Sequence, residues 1–262
     1  MQTSTLPALF VGHGSPMNAL EENDFTRAWK QLGEEIPRPK AVLCVSAHWL
    51  TRGTFVTAMQ NPRTIHDFGG FPQALFEVQY PAPGSPAFAR EVQSLLPGAN
   101  IGLDGEWGLD HGTWSVLRHV YPKADVPVLQ LSIDYARPGR FHFEMGRQLA
   151  RLRREGYLVI GSGNIVHNLR RVDFSQIDTP GYGYEWAIEL NDRVKHQILE
   201  DDPEPLIDWA SMGPSAHLAI PTPDHYDPLL YVLGMREAGD SVSFFNDVAV
   251  AGSLTMTSVR IG

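Results

Sequence analysis

A chain of 262 residues, 43% of them hydrophobic, can bury a sizeable core in one large α/β domain or two small ones. The formal charge of -9, from 30 acidic and 21 basic residues, argues against nucleic acid or an anionic membrane as a partner; the short run Arg151, Arg153, Arg154 reads as one solvated helix face. A single cysteine, Cys44, excludes an internal disulfide and fits a reducing compartment.

The first residues, "MQTSTLPALF", lack the basic and apolar segments of a signal peptide. No apolar run reaches the ~20 residues that span a bilayer, so a cytoplasmic protein is expected. Ala8–Val11 and Ala41–Ser46 are apolar runs that predict strands buried on both faces, with Cys44 as a small buried hydrophobe in the second. The stretch from Trp49 to Leu103 is rich in Pro and Gly and reads as a functional insertion wrapping the sheet. Within it, Ser85 is an N-cap with Pro86 at the first helical position, and Phe88, Val92, Leu95 and Leu96 share one helix face before Gly98. Val126–Ile133 and Tyr157–Gly161 predict two more strands; between them Met145, Leu149 and Leu152 form a helical stripe that stops at Gly156. Trp186, Leu190 and Val194 mark a later helix, and the tail from Gly252 to Ile261 predicts a strand at a sheet edge. Strands alternating with helices predict an α/β fold: a single domain over 1–262, with a largely parallel twisted sheet covered by helices on both faces.

The ten histidines fall in informative places. His13 in "GHGSP", His48 in "SAHW" and His167 in "GNIVHN" each follow an expected strand; His111 in "LDHGTW" and His225 in "TPDHYDP" sit at helix entrances. In an open parallel sheet the ends of strands and the starts of helices share one rim, where ligands bind. Small neighbours such as Gly12, Gly14, Ala47 and Gly112 leave room there. Neutral imidazole is the commonest protein ligand for late first-row metals, so convergence of at least three of the five predicts a metal site. For any one histidine, a structural role in a core or turn is the competing reading. That reading is preferred for His119, His142 and His196, within helical patterns, and for His217, in a polar loop. "HDFGGFP", residues 66–72, reads either as a tight turn with two packed phenylalanines or as an aromatic lid over a planar substrate; the lid reading makes His66, Asp67 and Phe68 candidate substrate-binding residues. Neither "GHGSP" nor "GSGN" matches a nucleophile elbow or a dinucleotide fingerprint.

Together, "ALFVGHGSPMNAL", "VSAHW", "TIHDFGGFPQALFEVQYPAPGSP", "GLDHGTW", "SGNIVHNL" and "TPDHYDPLLYVLG" resemble the bacterial 4,5-DOPA extradiol group of the class III extradiol ring-cleavage dioxygenases, the LigB-like superfamily. The resemblance runs over nearly the whole chain. It implies a LigB-like (phosphorylase/hydrolase-like) α/β fold and a mononuclear non-haem Fe(II) that opens a catechol with O2, with L-DOPA cleaved at its 4,5 bond as the leading case. Carried over by motif, His13, His48 and His225 are the metal ligands, His167 is the acid/base and lies close enough to the metal to act as a fourth ligand, and His111 is a second catalytic histidine. Better-known members of the superfamily use two histidines and a glutamate, so Asp224 beside His225 leaves a two-histidine, one-aspartate site as the alternative. The implied partners are a small catechol and O2, with no nucleic acid or membrane; oligomeric state is left open. Zn(II) can occupy such a site in purified protein. A zinc-dependent hydrolase and a non-catalytic metal-binding protein are the competing functions.

Overall fold

The structure, a computed structural model, describes residues 5–177, 179 and 181–262. Its strands are β1 (Ala8–Gly12), β2 (Val42–Thr51), β3 (Phe55–Thr57), β4 (Gly102–Asp104), β5 (Val128–Asp134), β6 (Leu158–Gly163), β7 (Val242–Phe245), β8 (Ala249–Val250), β9 (Leu254–Thr255) and β10 (Ser258–Ile261). Its α-helices are α1 (Asp24–Glu35), α2 (Gln73–Phe76), α3 (Pro86–Leu95), α4 (His111–Val120), α5 (Gly139–Leu149), α6 (Arg151–Arg154), α7 (Glu185–Leu199), α8 (Pro203–Ile207), α9 (Pro214–Ala219) and α10 (Asp227–Gly234). Among the described residues, one 8-stranded sheet runs in the order β4-β3-β5-β2-β6-β1-β10-β7, and β8 pairs with β9 apart from it.

The four central strands, β5, β2, β6 and β1, are mutually parallel. Their continuous apolar runs follow from burial on both faces. Ala8, Phe10, Leu43, Val45, Leu129 and Leu131 join α3, α5, α7 and α10 in one core. The alternate residues Leu9, Val11, Val42, Cys44 and Val128 join α1 and α4 in the other. Ser85 caps α3 as its sequence implies, accepting from the Phe88 amide, and Gly156 takes the positive φ that ends α6. No helix among the described residues is long and apolar enough to cross a membrane.

Several expectations are corrected. The tail strand β10 is not an edge: it lies between β1 and β7, antiparallel to both, and β7 covers it. Leu254 belongs instead to the small β8–β9 ribbon. The insertion after Trp49 does more than wrap the sheet, since β3 and β4 extend it at one side. His217 lies on α9 rather than in a loop. Arg153 is not on a solvated face. It is fully buried, and its guanidinium donates to the carbonyls of Leu6, Met235 and Ile261 and to both oxygens of Asp240. That pairing satisfies every donor of a buried charge, and it ties both ends of the chain to the end of α10.

Candidate metal centre

Each of the five rim histidines arrives on a different segment. β1 ends at Gly12, and the His13 amide then donates to the carbonyl of Gly163 at the end of β6, at 3.1 Å. A Cβ on Gly12 would stand 2.5 Å from the Met256 carbonyl oxygen, and Gly14 has a φ of +60, so neither glycine is replaceable without strain. His48 does not follow β2 but lies inside it. The register of β2 against β5 shifts between Val45 and Leu50, and such an irregularity re-aims a side chain. His111 is the first residue of α4, whose N-cap is Asp110. His225 closes a short 3-10 turn, Pro223–His225, packed so tightly on Gly163 that a Cβ there would meet the His225 carbonyl oxygen at 2.1 Å. His167 lies past β6, its amide donating to the Ala219 carbonyl.

These segments bring the five rings together around His13. Ring centroids are 5.0 Å apart for His13 and His48, 5.5 Å for His13 and His111, and 5.3 Å for His13 and His225. His48 and His111 are 3.9 Å apart, His48 and His225 5.0 Å, and His167 stacks on His225 at 3.5 Å. The Nε2 atoms of His13 and His48 are 3.1 Å apart. One nitrogen from each of His13, His48 and His111 lies within 4.8 Å of the others, and the same holds for one ligand atom each of His167, Asp224 and His225. The other histidines stay outside. His119 is bound through Nε2 to the Asn18 carbonyl, His142 is buried against Tyr231, and His217 packs on Trp209.

Oxygen atoms behind the rings decide which nitrogen carries the proton. Ser162 donates its hydroxyl to the Gly112 carbonyl at 2.6 Å, so toward His13 Nδ1, 3.0 Å away, it acts as acceptor. Asp224 Oδ2 accepts from His225 Nδ1 at 2.5 Å, and Asp67 Oδ2 accepts from His111 Nδ1 at 2.9 Å. An ionised carboxylate only accepts, so Nδ1 is the protonated nitrogen in each ring and the other keeps its lone pair. Burial, then the charges of the neighbouring histidines, holds His13 and His225 well below the ordinary imidazole range. Burial pushes His48 down to about 3 and His167 to about 4. His13 and His225, with lone pairs left at Nε2, and the neutral rings of His48 and His167 beside them form a donor set suited to a divalent late first-row cation, which would also relieve the close approach of the His13 and His48 nitrogens.

Supporting residues that sequence reasoning missed lie beneath the rings. Asp110 is completely buried; it accepts from the Ser46 hydroxyl at 2.7 Å and Gln130 Nε2 at 2.6 Å as well as capping α4. Burial, with the nearby Asp67 charge next, raises its carboxyl above the usual range against those hydrogen bonds. Asn18 holds the His13 carbonyl. The available signal was a polar residue inside an apolar strand: Ser46, Gln130 and Ser162 all interrupt such runs.

The segment 66–72 closes one side. His66 Nε2 is bound to the Val78 carbonyl at 2.9 Å, and its ring packs on Phe68 and Trp114. Phe68 meets the His111 ring edge-on at 5.5 Å and Phe71 at 5.4 Å. Of the three residues assigned to substrate in the lid reading, Phe68 and Asp67 therefore reach the histidines, and His66 is occupied by the protein itself.

Comparison with known proteins gives a consistent result. The family described as "Catalytic LigB subunit of aromatic ring-opening dioxygenase" matches residues 4–258. A protein of Escherichia coli K12 named "4,5-DOPA dioxygenase extradiol" is 51% identical over 100% of this chain and 97% of its own length. A Beta vulgaris protein of the same name is 35% identical over 86% of this chain and 85% of its own. The crystal structure of an uncharacterized Escherichia coli K12 protein superposes with a TM-score of 0.85 at 46% identity, covering 98% of this chain and 100% of that one.

Proposed function

The chain belongs to the LigB family of aromatic ring-opening dioxygenases, and from that premise we propose that it opens catechols next to their two hydroxyls, with L-DOPA, cleaved at the 4,5 bond, as substrate. The name shared by the bacterial and plant relatives supports that substrate. The observation that carries the reading is the convergence of five histidines on one rim with Nδ1 of His13, His111 and His225 tied to oxygen. His13, His48 and His225 would hold Fe(II), with His167 near enough to serve as a fourth ligand; Zn(II) would bind the same nitrogens in purified protein. Asp224, whose Oδ2 is taken by His225, supports that ligand rather than replacing it. Bound Fe(II) supplies the electronic link between catechol and O2.

The chain's own residues do the rest. His167, neutral because burial holds it near a pKa of about 4, accepts a proton from a catechol hydroxyl at its free ring nitrogen and returns it to the opened product. Its stack on His225 keeps it beside the centre. His111, its Nδ1–H held by Asp67, borders the same space with a lone pair at Nε2, and would steady charge developing on oxygen once that nitrogen has taken up a proton from the substrate. Phe68 supplies an apolar wall that excludes water and matches a flat ring. We take residues 1–262 as one catalytic domain and place it in the cytoplasm, in keeping with its single, buried cysteine.

The test is to load metal-free protein anaerobically with Fe(II) or Zn(II), then add L-DOPA and O2. The iron form should consume O2 and generate the yellow ring-opened semialdehyde, and the zinc form should not. No iron-dependent O2 consumption with any catechol would overturn the reading.

A further inference from the structure

One carboxylate from the insertion grips one of the site histidines and borders a second. Asp67 Oδ1 accepts the His111 backbone amide at 2.9 Å, and Oδ2 accepts Nδ1–H of the same residue, also at 2.9 Å. Oδ2 lies 3.4 Å from His48 Nδ1 as well. His48 comes from β2 and His111 from α4, yet their rings approach to 3.9 Å with Asp67 against both. On either side, His66 is tied to the Val78 carbonyl and Phe68 packs on the His111 ring, so the carboxylate is also where the aromatic segment is fastened to the rim.

We propose that Asp67 is a positioning residue: it holds His111 in the Nδ1–H tautomer and pins segment 66–71 over the histidines. The consequences for turnover rest on the ring-cleavage reading; the tautomer claim stands apart from it. A carboxylate is required because both groups it meets on His111 are donors. The side-chain amide introduced by Asp67→Asn has one acceptor oxygen and an NH2, so whichever way it turned, one His111 N–H would face another donor. The ring would then protonate at Nε2 or rotate away, and the lone pair would be lost from the site side.

Long-range proton–nitrogen NMR of metal-free protein carrying 15N-labelled histidine reads the tautomers directly, with His111→Asn identifying the His111 signals. Wild type should show His111 protonated at Nδ1. Asp67→Asn should shift His111 toward Nε2–H while His225, set by Asp224, keeps its pattern. The same variant should still bind Zn(II), and its iron form should lose more in kcat than it gains in KM. Asp67→Glu, which retains a carboxylate, should recover part of the tautomer and of kcat. A wild-type His111 protonated at Nε2 overturns the proposal without any variant. So does an Asp67→Asn protein with an unchanged His111 tautomer. Tautomers that move as expected in a protein that cleaves no catechol would leave the proposal standing and sink the ring-cleavage reading instead.

Discussion

Replacing Ser162 by Ala removes one oxygen that serves two partners at once. In the native protein that hydroxyl accepts from His13 Nδ1 at 3.0 Å and donates to the Gly112 carbonyl at 2.6 Å, all in a buried setting. Deleting it leaves the His13 Nδ1–H without a partner, while the Gly112 carbonyl, in the first turn of α4, keeps its helix bond. An unpaired buried donor costs about 1–3 kcal/mol, so the fold should lose about that much, within reach of urea unfolding monitored by far-UV dichroism. His13 can escape part of that cost by moving its proton to Nε2, but Nε2 is the atom 3.1 Å from His48 Nε2 and the one a metal needs. Loss of an outer-shell partner of this kind lowers metal affinity by about 10–100-fold, or about 1.4–2.7 kcal/mol. Zn(II) competition against a chromophoric chelator measures it. Equal zinc affinity in wild type and Ser162→Ala would refute the claim that the hydrogen bond behind His13 arms it as a ligand.

Other outcomes follow from the same geometry. In Gly112→Ala the new Cβ would stand 2.6 Å from Ser46 Oγ and 2.9 Å from His48 Cδ2, so the variant should melt earlier, by about 1–3 kcal/mol of stability, and bind zinc more weakly; a variant equal to wild type in both would contradict the packing. Asp224→Asn should keep a measurable metal site and His225→Ala should not, a contrast that metal analysis resolves; the reverse order would make Asp224 the ligand. His142, buried beside Tyr231 and 3.6 Å from Asp227, is pushed down to about 4 by burial. Its folded pKa lies below the unfolded value of about 6.5, so its contribution is whole above that pH and is lost as pH falls toward about 4, at up to about 1.4 kcal/mol per pH unit. Urea unfolding of metal-free protein at about pH 7 and about pH 5 should show the loss, and His142→Asn should reduce the difference by one histidine's share, the buried His13, His48, His167 and His225 keeping the rest; an unreduced difference would place the acid sensitivity elsewhere.

Much of the scaffold is written in local pattern. Apolar runs at β1, β2, β5 and β6 declare strands covered on both faces, and Ser85–Pro86 declares a helix start, because those signals act within a few residues. The rim location of the five histidines followed from the same reasoning, and ring distances of 3.5 to 5.5 Å bear out their convergence. What escaped depends on partners distant in sequence. β3 and β4 have three residues each and exist through pairing, not propensity. β7 carries no strong strand signal of its own, and without it β10 reads as an edge. Arg153 sits among arginines that do face water, and only the meeting of Leu6, Met235, Asp240 and Ile261 around it offsets the cost of burial. The oxygens that set the tautomers are equally nonlocal: Ser162 lies 149 residues from His13, and Asp67 lies 44 from His111.

The division of labour among the rim histidines is the central claim, and distance alone does not supply it, since His13 and His48 group with His111 as closely as any ligand set requires. Iron bound per chain after anaerobic reconstitution and desalting tests it in one quantity, across alanine variants of His13, His48, His225, His111 and His167. The first three should lose iron, while His111→Ala and His167→Ala should retain it and lose turnover. Wild-type iron content in any of the first three, or equal loss in all five, would contradict it.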